Sequence, residues 1–295
     1  MLKKLVLVVL ILSLVLVSCV KENKSLEIGE LGDFIYLDGK ENISTFNFEG
    51  HRSSVFIDLD KRISSFDISR DGKILSVQIP GGSEESNYSQ EGPCIIVINL
   101  EKKRIIKEIK PGILAGISPM NEVYFMEGND EKVNGLKLYD TSVKKIKEID
   151  LNNISNIDWS PNGKKVVYTK RINRMMRLFV TDLTSSKTIE LLKDKQTNKY
   201  HPSWSIDGTI IFISFKDGDF GIYSTTLNKD DIQLIIKSDL VCANPVISIE
   251  DKKILFKVLE KDNSWNIYMV NEDGSNLTRI LNLGENGTGK IEWIR

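Results

Sequence analysis

The side chains that could do chemistry are few in this chain of 295 residues, and their spacing excludes more than it supports. Its only histidines, His51 and His201, are far apart, and no Cys-x-x-Cys pair or His/Cys grouping falls at the intervals of a zinc site. A nucleophile is equally hard to assemble, because Gly-x-Ser-x-Gly is absent and no serine or cysteine shares a motif with His201. The run Gly284-Glu285-Asn286-Gly287-Thr288-Gly289-Lys290 imitates a phosphate-binding loop. Ile291 stands where Ser or Thr is required, however, and too little chain follows for the helix that such a loop opens. Asp217 and Asp219 have the side chains of a glycosidase pair but read as hairpin-loop residues. No catalytic residue, metal or cofactor is therefore expected.

Cys19 is the exception. Lys3 and Lys4 precede an apolar run from Leu5 to Val17 that ends at Ser18-Cys19. Thirteen helical residues cover roughly 20 Å, short of the roughly 30 Å hydrocarbon core, so the run reads as a processed export signal. Leu16-Val17-Ser18-Cys19 resembles the bacterial lipobox, which implies cleavage before Cys19 and its acylation, with palmitate-type chains holding the protein on a membrane. The expected organisation is a signal peptide over 1–18, the lipidated cysteine and a polar tether over 19–32, and one folded domain over 33–295. Val20, rather than aspartate, follows the cysteine, so the resemblance implies no retention at an inner membrane. The address is the outer face of a cell membrane, or an outer membrane.

Removal of the signal leaves 38 Lys and Arg against 41 Asp and Glu. Charge and export both argue against a nucleic-acid partner. The composition, 41% hydrophobic and 27% charged, supports a sizeable core. Cys94 and Cys242 each sit in apolar, strand-like sequence and read as buried thiols.

The elements that must position any site emerge from a repeat. Phe66-Asp67-Ile68-Ser69-Arg70-Asp71-Gly72, Ile157-Asp158-Trp159-Ser160-Pro161-Asn162-Gly163 and Pro202-Ser203-Trp204-Ser205-Ile206-Asp207-Gly208 are versions of one phrase, with weaker copies around Ser118 and Ser248. The serines recur at intervals of 49, 42, 45 and 43 residues, the length of a four-stranded propeller blade. Each phrase predicts a strand and a tight hairpin turn, followed by an apolar strand such as Ile210-Ile211-Phe212-Ile213. Ile291-Glu292-Trp293-Ile294 begins a sixth blade that Phe34–Leu37, Ile43–Phe48 and Ser53–Leu59 can complete. The predicted fold is all-β: six four-stranded antiparallel blades, the ring closed by one C-terminal and three N-terminal strands. Such closure leaves no long exposed edge. The tryptophans at 159, 204 and 293 share one blade position and read as packing.

Trp-Ser-Pro-Asn-Gly before an apolar strand, then Leu178-Phe179-Val180-Thr181-Asp182-Leu183, resembles the TolB-type propeller repeat over essentially Phe34 to Arg295. The resemblance implies an exported, non-catalytic protein-interaction module, a scaffold or assembly factor of the cell envelope. The same repeat occurs in peptidase-associated propellers and polysaccharide lyases, so the fold does not dictate the job. A glycan- or small-ligand-binding receptor and a propeller enzyme, a hydrolase or lyase, are the alternatives. In this register Ser65, Leu114, Asn156, His201, Asn244 and Lys290 ring the mouth of the central channel, a polar set suited to a small anion, a carbonyl or a peptide end. The loops on the same face carry Glu84, Glu85, Tyr88, Arg171, Arg174 and Trp265, separated acidic and basic sectors with aromatic groups for a protein or sugar partner. A monomer is expected.

Overall fold

The computed structural model describes residues 26–38, 42–82, 92–128, 133–193, 197–216, 218–227, 229–248, 252–287 and 289–294. They form six sheets of four antiparallel strands, each sheet a meander from an inner to an outer strand, with no helix among the described residues. The inner strands are Ser65–Ile68 in blade 1, Ile113–Ile117 in blade 2, Ile154–Trp159 in blade 3, Asn198–Trp204 in blade 4, Val241–Ile247 in blade 5 and Ile291–Trp293 in blade 6. Blade 6 continues through Phe34–Leu37, Ile43–Asn47 and Arg52–Ile57, so the two ends of the chain close the ring as the repeat predicted.

Sequence period explains the packing. Second and third strands are buried on both faces, so they read as continuous apolar runs, and successive side chains point into opposite neighbours. Ile211 and Ile213 pack toward blade 5, whereas Ile210 and Phe212 pack toward blade 3. Six apolar clusters result, one in each wedge between blades. Outer strands are the most exposed and polar, as in Lys145–Ile149.

The recurrent serine ties the first hairpin of a blade together. Ser69 Oγ accepts from Ile74 N at 2.8 Å, and Ser160 Oγ accepts from Lys165 N at 2.9 Å. Gly72 and Gly163 adopt φ near +68° and +69°, which the tight turn demands of a residue without a Cβ. These hairpins, and those joining third to fourth strands, project from one side of the disc, the hairpin face. Inner strands begin on the opposite side, the loop face.

Two expectations change. Residues 26–32, read as tether, belong partly to the folded body. Leu26 is buried in the wedge between blades 6 and 1, its N–H donates to Lys103 O at 3.0 Å, and Ile28 bridges to Ile57. Their alternating apolar residues Leu26 and Ile28 fill a gap that the closing blade leaves. Cys242 is a buried free thiol, but Cys94 is disulfide-bonded, with its partner outside the described residues.

Candidate functional site: the central cavity

Four inner strands break their ladder near the loop face. A bulge interrupts pairing between Ile113 and Gly116, Ser155 and Asp158, Tyr200 and Ser203, and Ala243 and Val246. Within those bulges Leu114, Asn156, His201 and Asn244 take left-handed φ of 51°, 44°, 48° and 49°. A bulge re-aims one side chain out of the pleat, and here all four residues line the central cavity together with Ser65 and Lys290. The cavity holds about 280 Å³ and runs from this ring down to Arg70, Ser118 and Pro119 near the hairpin face.

The members of the ring differ in what they can still offer. Asn244 Nδ2 donates to Gly289 O at 2.7 Å, and Asn156 Oδ1 accepts from Thr169 Oγ1 at 3.2 Å, so each amide is oriented by one bond and keeps its other group. His201 has no hydrogen-bond partner among the described residues, and burial pushes its pKa down to about 4, so the imidazole is neutral at neutral pH. It can therefore donate from one nitrogen and accept at the other. Lys290 is not a free cation. Its Nζ lies 3.3 Å from Asp67 Oδ1 and 3.2 Å from Glu292 Oε2. Burial alone would lower its pKa, but the two carboxylates outweigh burial and raise it.

The acids around Lys290 occupy one position of the repeat, two residues after the mouth residue in every blade. That position is Asp67, Gly116, Asp158, Ser203, Val246 and Glu292 around the ring. Its acids stitch blades together. Asp67 accepts from Ile68 N in its own blade at 2.9 Å and from Ile117 N in blade 2 at 2.8 Å. Asp158 does the same with Trp159 N and Trp204 N, both at 2.7 Å. In blade 2 the acid is replaced by Gly116, and the vacated space holds the Tyr124 hydroxyl, 2.1 Å from where a Cβ would stand. That hydroxyl donates to Ile157 O of blade 3 at 3.4 Å, and burial raises its pKa. Trp293 Nε1 links blade 6 to Val246 O of blade 5 at 3.1 Å. Interblade ties thus line the cavity floor at five of the six seams. Sequence reasoning did not single out Asp67, Tyr124, Asp158 or Glu292, although aligning the six phrases exposes the acid position.

The other candidates divide by place. Arg171 and Arg174 are exposed at the loop-face hairpin of blade 3, where Asn173 and Arg174 both have positive φ. Neighbouring Arg177, by contrast, is committed to Glu190 at 3.2 Å. Trp265 is half-buried at the start of the third strand of blade 5, on the same face. Glu84, Glu85 and Tyr88 lie outside the described residues, as do Asp217 and Cys19. Asp219 pairs with Lys237 at 2.7 Å. Among the described residues no group of His, Cys, Asp and Glu could hold a metal ion, and no helix is long and apolar enough to cross a membrane.

No family model matches this chain, and no curated protein does. Solved structures with the same architecture are numerous. A putative TolB from Agrobacterium tumefaciens superimposes with a TM-score of 0.66 at 18% identity, covering 83% of this chain and 90% of its own. TolB from Acinetobacter baumannii gives 0.66 at 16% identity over 88% of this chain and 64% of its own. The tricorn protease gives 0.67 at 17% identity, with 88% of this chain matching 26% of that one. The fold is therefore that of the TolB-like six-bladed propeller, shared with about a quarter of the tricorn protease chain.

Proposed function

We propose that this chain is a non-catalytic interaction propeller, exported and anchored by lipid on Cys19, that takes a protein partner at the loop-face mouth of its channel. The observation that carries the reading is the open capacity of the mouth. His201, Asn156 and Asn244 present neutral donors and acceptors into one cavity, while Lys290 is held between Asp67 and Glu292. Neutral, oriented groups of this kind suit backbone amides and a chain end better than a charged substrate. The TolB-type likeness supports an interaction role, and the TolB proteins are the comparison it rests on. The cavity acids serve as structural acceptors, which argues against the free carboxyl pair that glycan hydrolysis needs.

Crosslinking pull-down of the lipidated protein from its native membrane tests this, against His201→Ala/Asn156→Ala and Arg174→Glu forms. Recovery of one defined envelope protein that the variants lose supports the reading. Retention of the same partner by every form refutes the mouth as its seat. A volume of about 280 Å³ also suits a small ligand, and loss of ligand without loss of partner would select that reading. The anchor has its own test. Mass spectrometry of the mature protein should find Cys19 at its N-terminus, carrying acyl mass. A mature chain that retains residues 1–18, or a Cys19 peptide with no acyl mass, overturns it.

A further inference from the structure

The hairpin face is not uniform. In blade 1 the hairpin joining third to fourth strands reads Glu101-Lys102-Lys103-Arg104, and in blade 2 it reads Ser142-Val143-Lys144-Lys145, all exposed. Asn99 Oδ1 fixes the first by accepting from Lys102 N at 2.7 Å, and Asp140 Oδ1 fixes the second by accepting from Ser142 N and Val143 N at 2.8 and 3.1 Å. Large apolar side chains are exposed on the same face: Val143, within the second hairpin, is 59% exposed, and Met120, on the first hairpin of blade 2, is 69% exposed. Across the disc the character reverses. The matching hairpin of blade 5 carries Glu272 and Asp273, next to Asp207 of blade 4, with Lys252 bridging toward Asp207 and Glu272 at 4.0 and 3.9 Å.

The chain reaches the folded body at the basic sector. Leu26 N bonds the carbonyl of Lys103 itself. Only six residues separate Leu26 from Cys19, a reach of at most about 24 Å fully extended. Two of the six, Lys21 and Lys24, are basic.

We infer that the hairpin face of blades 1 and 2 lies against an anionic lipid surface, with Met120 and Val143 entering the headgroup layer and the lysine-rich hairpins meeting lipid charge. The orientation rests on the lipid anchor proposed above, whereas the affinity of the face for anionic lipid does not. Basic residues next to a bilayer gain from its negative surface potential within a Debye length, and exposed apolar groups add burial. The arrangement turns the loop face, with His201 and Arg174, away from the membrane and toward soluble partners.

The test separates face from anchor. A mature Cys19→Ser chain, which cannot be acylated, is sedimented with phosphatidylcholine vesicles with and without phosphatidylglycerol. Binding should require phosphatidylglycerol. It should fall steeply as salt rises from about 0.1 M to about 1 M and the Debye length shrinks from about 10 to about 3 Å. A Lys102→Glu/Lys103→Glu/Lys144→Glu/Lys145→Glu form should bind about tenfold or more weakly. Equal binding by both forms, or none by either, overturns the inference whether or not Cys19 is lipidated. In lipidated protein on the same vesicles, amine labelling should be suppressed at Lys102, Lys103, Lys144 and Lys145 relative to Lys237 and Lys261. Uniform labelling of vesicle-bound protein refutes the orientation while leaving the anchor intact.

Discussion

Replacing Lys290 by Met separates a ligand-binding lysine from a structural one. In the folded chain its ammonium lies between Asp67 and Glu292, whose side chains are only 12% and 11% exposed. Asp67 cannot move away, since its two oxygens also hold Ile68 N and Ile117 N across the blade 1–blade 2 boundary. The substitution therefore leaves two carboxylates facing each other without a cation. Removing one partner of a buried pair costs about 3–5 kcal/mol. For a domain of this size that lowers Tm by roughly 6–20 °C, at about 2–4 °C per kcal/mol. The sign of the pH dependence sets the assay. The pKa of Lys290 is raised by folding, so its stabilisation is complete below the unfolded value of about 10.4 and is lost only as pH rises above it. Thermal unfolding followed by far-UV circular dichroism at neutral pH should register the whole effect. A Lys290→Met/Glu292→Gln double variant should recover much of the loss, because Asp67 keeps its two N–H donors. A single variant melting within about 2 °C of the parent, against the scale of a lost buried pair, would refute the structural assignment and return Lys290 to the list of anion-binding groups.

Other consequences follow from the same locks and buried bases. His201 has a folded pKa depressed from 6.5 to about 4, so stability is full above about 6.5 and declines as pH falls toward 4. Urea midpoints of a His201→Gln form should lack up to about 3 kcal/mol of that decline, and an unchanged acid limb would contradict the burial. Lys257 is fully buried, with Gly287 O at 2.9 Å and a pKa lowered to about 7 by burial. The parent protein should therefore gain stability between pH 7 and 10, where only the unfolded chain binds that proton, and Lys257→Met should flatten the gain. Gly116→Ala should strongly destabilise the ring, since its methyl would stand where the Tyr124 hydroxyl is. Adding Tyr124→Phe should restore little of the loss in the same melt, because Cζ and Cε1 of the ring would still overlap the new methyl.

How much of this was legible in sequence depends on what kind of constraint each feature obeys. The blade count and the closure by Ile291–Trp293 against Phe34–Leu37 were legible because a hairpin needs Asp-Gly or Asn-Gly at its tip and a doubly buried strand needs an unbroken apolar run. The mouth residues were legible by position, since a fixed offset from the recurrent serine points to one ring whatever side chain stands there. Their bulges were not, because a bulge adds a residue without changing composition, and Leu114, Asn156, His201 and Asn244 share only their backbone angle. Charge misled most. Lys290 and Arg177 look in sequence like Arg171 and Arg174, and only their partners, Asp67 at 223 residues' distance and Glu190 one strand away, tell the committed cations from the exposed ones.

The same comparison explains why the ring tolerates so irregular a set of locks. An acid at the shared inner position bonds two N–H groups in two blades, which is what Asp67 and Asp158 do. Where Gly116 cannot, the tyrosine of the next strand supplies a donor to Ile157 O instead, reversing the direction of the bond while keeping the interblade tie. At the seam between blades 5 and 6, where Val246 has no polar side chain, the link passes to Trp293 Nε1 and the Val246 carbonyl. At the seam between blades 6 and 1 the link is Lys290 bridging Glu292 to Asp67. The inner strand of blade 6, Ile291–Trp293, is held in its own sheet by pairing with Phe34–Leu37 and not through a hairpin. The tie from Lys290 and Glu292 to Asp67 gives that C-terminal segment a second hold, on blade 1, which is why Lys290 is assigned to holding the ring rather than to holding a ligand.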